Sequence, residues 1–124
     1  MDSAYRTFRR VNNITGWFLF AISTMVYILT LEPTVSFWDC GEFILSAFRL
    51  QVGHPPGAPL FLMMGRIATL FAGSDTSKVA LMMNILSAVC SGFAIMFLYW
   101  TITHLVRKIF TTGGTLEAGK NLQY

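Results

Sequence analysis

Charge is scarce in this chain. Asp, Glu, Lys and Arg make up 12% of its 124 residues, against 54% apolar residues. Average soluble domains carry roughly 25% charged residues. That deficit, with a mean hydropathy of +0.56, points to a membrane before any segment is read. Cysteine is scarce too. Cys40 lies in a polar segment and Cys90 in an apolar run, which puts them at different membrane depths and argues against a disulfide between them. One pair without a Cys-x-x-Cys spacing says nothing of redox compartment. Zinc-ligand spacing, a phosphate-cradling glycine loop and a hydrolase nucleophile elbow are all missing. The net charge of +3 is small and its Lys and Arg are scattered, with no interleaved basic and aromatic groove, which excludes a nucleic-acid partner. Internal repeats and low-complexity tracts are absent as well.

What the chain has is long apolar runs. Residues 1–13 are polar and carry Arg6, Arg9 and Arg10, reading as a cytoplasmic N-terminus. Ile14 to Leu31 is an uncharged apolar run of 18 residues, enough for a membrane helix. A cleaved signal peptide is the alternative, but Leu31-Glu32-Pro33-Thr34 is a poor cleavage site. Pro33 disfavours helical geometry at Glu32 and ends the run. Residues 38–52 read as an amphipathic interfacial helix, with Asp39, Glu42, Ser46 and Arg49 on one face. A second apolar run over 59–72 contains Arg66, and a third extends from Val79 to Val106 before Arg107 and Lys108. The expected fold is therefore an all-α membrane protein of about three transmembrane helices. The membrane region covers residues 14–110, with an outer loop at 32–55 and a flexible tail at 111–124.

Alternating passes would put Arg6, Arg9, Arg10 and Lys78 on one side and Arg49, Arg107 and Lys108 on the other. That excess is slight, and the tight N-terminal cluster adds to it in favour of a cytoplasmic N-terminus. The Asp39–His54 loop then faces the periplasm or the lumen of the endoplasmic reticulum; a bacterial inner membrane and the endoplasmic reticulum both fit. So few helices make poor walls for a membrane enzyme, so the chain is expected to be the N-terminal piece of a longer polypeptide or a subunit that packs on others.

The chemistry concentrates in Phe37-Trp38-Asp39-Cys40-Gly41-Glu42-Phe43 and Gly53-His54-Pro55-Pro56-Gly57-Ala58-Pro59. Carboxylates near lipid are expensive and tend to be functional. Asp39 and Glu42 share a helix face, where one charge can raise the pKa of the other and divide acid from base. Spacing alone favours a helix N-cap for Asp39 over catalysis. Two acids do not define a metal site. His54, stiffened by the prolines after it, suits a phosphate oxygen or a carboxylate partner. Arg49 suits a phosphate through its guanidinium fork, or Glu42, or lipid headgroups. Arg66 faces protein or a cavity, or snorkels to the nearer surface. Asn84 reads as an interhelical hydrogen-bond donor.

The Asp-x-Gly-Glu element at 39–42, followed by Gly-His-Pro-Pro-Gly-x-Pro-Leu at 53–60, resembles a family of multipass proteins once filed as a domain of unknown function. These are the transmembrane-protein-260-like O-mannosyltransferases, similar in turn to glycosyltransferases of the GT-C type. The resemblance is specific over residues 33–66. It implies a polytopic helical enzyme that moves a sugar, mannose in this family, from a polyprenyl-phosphate donor to Ser or Thr of an acceptor protein. It also implies an outer-face loop, Asp39 as catalytic base with Glu42 beside it, and His54, Arg49 and Arg66 as contacts to donor phosphate or substrate. Members carry many more helices than this chain, so the fragment alone is expected to be inactive. Two other readings stand beside it: a non-catalytic membrane subunit, and a transporter or lipid-handling fragment in which Arg66 and the acidic pair line a pathway.

Overall fold

The computed structural model describes the backbone of residues 2–120 and the side chains of residues 5–110. Among the described residues four α-helices follow one another: α1 (Asp2–Thr30), α2 (Cys40–Arg49), α3 (Pro59–Leu70) and α4 (Val79–Lys120), with a 3₁₀ turn at Thr76–Lys78. The polar start of the chain is thus the first part of α1. Of the tail expected over 111–124, α4 takes in residues up to Lys120, and residues 121–124 lie outside the described ones.

Among the described residues two helical stretches are long and apolar enough to cross a membrane: Tyr5–Thr30, of 26 residues, and Thr76–Phe110, of 35. The third apolar run folds as α3, only 12 residues long. It rises about 18 Å against a hydrocarbon core of ~30 Å. Expecting about three membrane helices, one finds two of spanning length and one short apolar helix. The chain turns early because Gly73, at φ +62°, takes the left-handed conformation that a helix end favours.

The chain divides into two compact units, Met1–Ser23 with Gly92–Tyr124, and Thr24–Ser91. In the first, α1 and α4 run antiparallel. Phe20 meets Phe93 at 4.4 Å between ring centroids, Trp17 meets Trp100 edge-on at 6.4 Å, and Arg107 lies over the Tyr5 ring at 4.4 Å. The Trp100 indole donates to the Asn12 carbonyl at 3.3 Å. Gly16 makes this approach possible, since a Cβ there would collide with the indole. The pairing corrects the expected sorting of charges. Arg107 lies at the same end of the helix pair as Tyr5 and Phe8, where the alternating count put it opposite the N-terminal arginines. The physical reason is that α3 is too short to add the pass that the alternating count assumed.

In the second unit α2 packs on α3 and on the start of α4. Ala47 is fully buried against Leu62 and Met83, with Phe43 and Ile44 alongside. Small residues set the spacing: a Cβ on Gly65 would lie 2.9 Å from the Ala47 Cβ and 2.7 Å from the end of the Met83 side chain. Close approach through small residues is how helices associate where lipid removes the hydrophobic drive. Arg66 locks the contact. Its Nη1 donates to the Phe48 carbonyl at 2.6 Å, one of the free acceptors at the end of α2, and its guanidinium lies over the Phe48 ring at 5.6 Å. Asn84 of α4 donates to the carbonyls of Glu32 at 2.7 Å and Thr34 at 3.1 Å. It therefore pins the segment leaving α1, rather than bridging two helices.

Gly65→Val is expected to destabilise the second unit by about 1–3 kcal/mol, the usual penalty for added volume in a packed contact. Thermal unfolding of the detergent-solubilised protein, followed by circular dichroism, checks this. An unchanged midpoint would mean that the α2–α3 spacing does not depend on Gly65.

Candidate active site

The site begins with a backbone turn. Trp38 sits at φ +70°, a conformation that costs a bulky L-residue on the order of 1–3 kcal/mol. It swings the chain so that Asp39 becomes the N-cap residue of α2. Glu42 follows one turn later, in the first turn of the helix, where the helix dipole favours negative charge. At the far end Leu50 adopts φ 52° and the Gln51 amide donates to the Ser46 carbonyl at 2.9 Å, a left-handed helix stop. The chain then doubles back along α2, and residues 51–54 cover its polar face. Ser46, which the spacing placed on that face, is buried.

The returning loop is caught by one carboxylate. Glu42 Oε1 accepts the His54 backbone N–H at 2.7 Å, and Glu42 Oε2 lies 2.8 Å from His54 Nδ1. Gly53 lies under this clasp; a Cβ there would come within 3.3 Å of Glu42 Oε1. The Phe43 ring stands edge-on to the imidazole at 6.1 Å. The His54 amide, and then its side chain, hold the Glu42 carboxyl below the ordinary carboxylate range. Glu42 in turn raises His54, chiefly through the side-chain hydrogen bond, and Asp39 adds a smaller push in the same direction. The two sequence elements are therefore one structural site, joined by a charge-assisted pair.

The remaining site candidates divide. Asp39 is exposed and makes no side-chain cap hydrogen bond, so it occupies the cap position without performing the cap's hydrogen bonding. Arg49 is exposed, with its guanidinium 5.9 Å from the Phe48 ring centroid. Among the described residues no ion pair joins it to Glu42, whose partner is His54. Arg66 is committed to the Phe48 carbonyl on the other side of α2's end. Asp39, Glu42 and His54 do not converge as a three-ligand set, nor does any other group of His, Cys, Asp or Glu among the described residues. Both cysteines are free. Sequence reasoning assigned no role to Gly53 by itself, and expected of Asn84 a bond between helices. Gly53 stands in the motif directly before His54, the signal that could have found it; Asn84 donates as expected, but to the carbonyls of Glu32 and Thr34 in the segment after α1. Phe37 and Trp38 are 92% and 93% exposed, beside the acid that opens α2.

An apolar cavity of about 380 Å³ lies beside the site, lined by residues that include Cys40, Phe43, Ala58, Phe61 and Asn84. It runs along the α2 face next to the Glu42–His54 clasp, through Phe43, whose ring touches both the imidazole and Phe61.

Comparison with known proteins brings out one family. Residues 39–123 match the family model described as the protein O-mannosyl-transferase TMEM260 N-terminal domain. The chain is 38% identical over 84 residues to the protein O-mannosyl-transferase tmem260 of Dictyostelium discoideum, covering 68% of this chain and 10% of that protein. It is 35% identical over 102 residues to the protein O-mannosyl-transferase TMEM260 of Mus musculus, covering 82% of this chain and 14% of that one. The chain thus spans only a small part of the length of these relatives. No solved structure matches it.

The pair makes a pH prediction with a definite sign. A raised His54 favours the folded clasp below the ordinary histidine value of 6.5 and loses that contribution as pH climbs through its folded value. A lowered Glu42 contributes above the ordinary 4.5 and loses it as pH falls through its folded value. The clasp is expected to be complete between these limits. NMR titration of the His54 ring should give a midpoint above 6.5, returning toward 6.5 in Glu42→Gln. The same midpoint in both proteins would dissolve the pairing.

Proposed function

The chain belongs to the TMEM260 N-terminal domain family, and from that premise we propose that it is the catalytic-loop portion of a membrane protein O-mannosyltransferase. The donor is a polyprenyl-phosphate-linked mannose and the acceptor a Ser or Thr hydroxyl of a protein. The observation that carries the assignment of roles is the division between the two acids. Glu42 is engaged by His54 through both oxygens, while Asp39, one turn earlier, is exposed and makes no cap bond. Asp39 is the carboxylate left to take a proton.

In this reading Asp39 accepts the hydroxyl proton of the acceptor as the oxygen attacks the anomeric carbon. The bond from that carbon to the phosphate oxygen breaks on the opposite face, the electron pair leaves with the lipid phosphate, and the anomeric centre inverts. His54, biased toward its charged form by Glu42 and Asp39, faces the negative charge that gathers on the leaving phosphate, with Arg49 as a second cation. Preorganised charge of this kind needs no rearrangement as the reaction proceeds. Glu42 acts through His54, as a positioning residue.

The topology of the proposal is supported by the charges at the paired ends of α1 and α4. Arg6, Arg9, Arg10, Arg107 and Lys108 gather there, without an acid in residues 5–23 or 92–110. The positive-inside rule assigns that end to the cytoplasm. A single helix of 26 spanning residues then carries the chain to the outer face, where residues 32–58 emerge. Phe37 and Trp38 suit the headgroup level at which exposed aromatic rings settle.

Transfer from a polyprenyl-phosphate mannose to a Ser/Thr acceptor peptide is the test, using membranes that carry the full-length protein. Asp39→Asn is expected to lower transfer by about 10²–10⁴-fold, the range for loss of a general base, with membrane insertion unchanged. Equal transfer in both proteins would remove Asp39 from the mechanism. Absence of transfer by the wild type, across several sugar donors, would favour a non-catalytic binding subunit.

A further inference from the structure

A groove of about 510 Å³ runs between α3 and α4 in the second compact unit. It is lined by Met64, Ile67, Phe71, Met82, Ile85 and Val89, among others, and every lining residue is apolar. About two turns of each helix build it, Met64 to Phe71 on α3 and Met82 to Val89 on α4. The seam continues through a cavity of about 330 Å³ whose walls include Leu60 and Cys90. The start of α3 thus meets the later part of this stretch of α4, and the end of α3 meets its beginning, so the two helices lie side by side and antiparallel. The groove is open: Ile67 is 61% exposed and Phe71 79%. Its methionines are unbranched and adaptable, able to shape themselves to an occupant.

Charge at both ends of α3 decides what can cover this groove. The loop before α3 carries His54, paired with Glu42, and the turn after it carries the ion pair of Lys78 with Asp75 at 3.1 Å. Both pairs are exposed, and neither is at home in hydrocarbon. With α4 crossing the membrane, α3 runs along the same direction and sets the two pairs about 18 Å apart. A hydrocarbon core of ~30 Å is too thick to fit between them. Both pairs therefore stand on one side of it, and the stretch of α3 between them stands there too. Acyl chains do not reach a groove in that layer, and leaving it to water costs about 25 cal/mol for each Å² of apolar surface. Protein is the cover that remains. This chain makes up only a small part of the length of its relatives, so in a protein of their size most of the polypeptide is available to supply it.

We propose that the α3–α4 groove is the seat of a further apolar helix of the same full-length polypeptide, packed on Ile67 and Phe71 outside the hydrocarbon. The contact face of that helix is uncharged, because the groove offers no polar partner. Ala68 in the groove wall allows a backbone to approach closely. The proposal is independent of the transfer chemistry at Asp39 and rests on the membrane crossing of α4 and on the length of the relatives. Seated there, the helix braces α3, whose Arg66 holds the end of α2, so the rest of the protein supports the acidic loop through this contact. An acyl chain and a second copy of the protein are the other occupants, and the test separates them.

Photocrosslinking in membranes that carry the full-length protein reads the occupant directly. The photoreactive residue p-benzoylphenylalanine replaces Ile67 or, in a second variant, Phe71, so that one disturbed position does not decide the outcome. Tryptic mass spectrometry then identifies what each probe has captured. The expected product at both positions is monomeric, with the probe joined to a peptide of the same polypeptide outside residues 1–124. Met63 is exposed on α3 without lining the groove, and a probe there should lose that product. Probes joined only to lipid, a crosslinked dimer, capture of a different protein, or probes left unreacted at both positions would overturn the proposal. So would equal capture at Met63, because a general apolar surface would then suffice.

Discussion

The Glu42 carboxylate holds the candidate site together by binding His54 at two atoms. One oxygen takes the backbone amide and the other faces the ring nitrogen. A contact to the side chain alone would leave the loop free to slide, and a contact to the backbone alone would leave the imidazole free to turn. Together they fix both the path of the chain after α2 and the orientation of the ring. The loop lies over Ser46 because this closure holds it there, and Gly53 is required where the backbone passes closest to the carboxylate. The same bond decides the electrostatics. It keeps Glu42 ionised and His54 inclined to protonate, so a negative group becomes the support of a positive one.

Around that clasp the helices are held by contacts that tolerate little change. Ala47 and Gly65 let α2 and α3 approach until Met83 fills the remaining space. Arg66 then closes the end of α2 by taking a carbonyl that no residue within the helix can satisfy. An arginine inside an apolar run is expensive unless it has such a partner. Here the expense is offset by the helix end it completes and the ring it covers. Arg66 thus supports the site from below, while Arg49, on the exposed side of the same helix end, remains open to a ligand.

Membrane placement follows the same economy of charge. The chain has few ionised groups and spends them at helix ends: a basic cluster where α1 starts and α4 finishes its apolar stretch, and acids where α2 begins. The interior of the α1–α4 pair is aromatic instead, built from Trp17, Phe20, Phe93, Phe97 and Trp100 in edge-on and tilted contacts. Ring contacts need no water and no ionisation, which suits a surface that lipid would otherwise cover.

Much of this was legible in the order of residues. Apolar runs interrupted by Glu32-Pro33 and by the Gly-His-Pro-Pro-Gly element dictate all-α structure and where the first helices break, because proline and glycine act on the backbone locally. The spacing of Asp39 and Glu42 marks a helix start, and the two linked motifs carry the resemblance to a family that the comparisons then found. Other features needed the tertiary structure. Spacing could not tell which of the two acids would be engaged, since Glu42 meets its partner 12 residues away through a loop whose path depends on closure. Nor could it tell that Arg66 caps a helix from a neighbouring element, that Asn84 reaches back to the segment after α1, or that Arg107 returns to Tyr5. Each of these joins residues far apart in the chain. Local preferences determine where helices begin and end; which side chains meet is decided by packing, where one short helix changes which end a distant charge reaches.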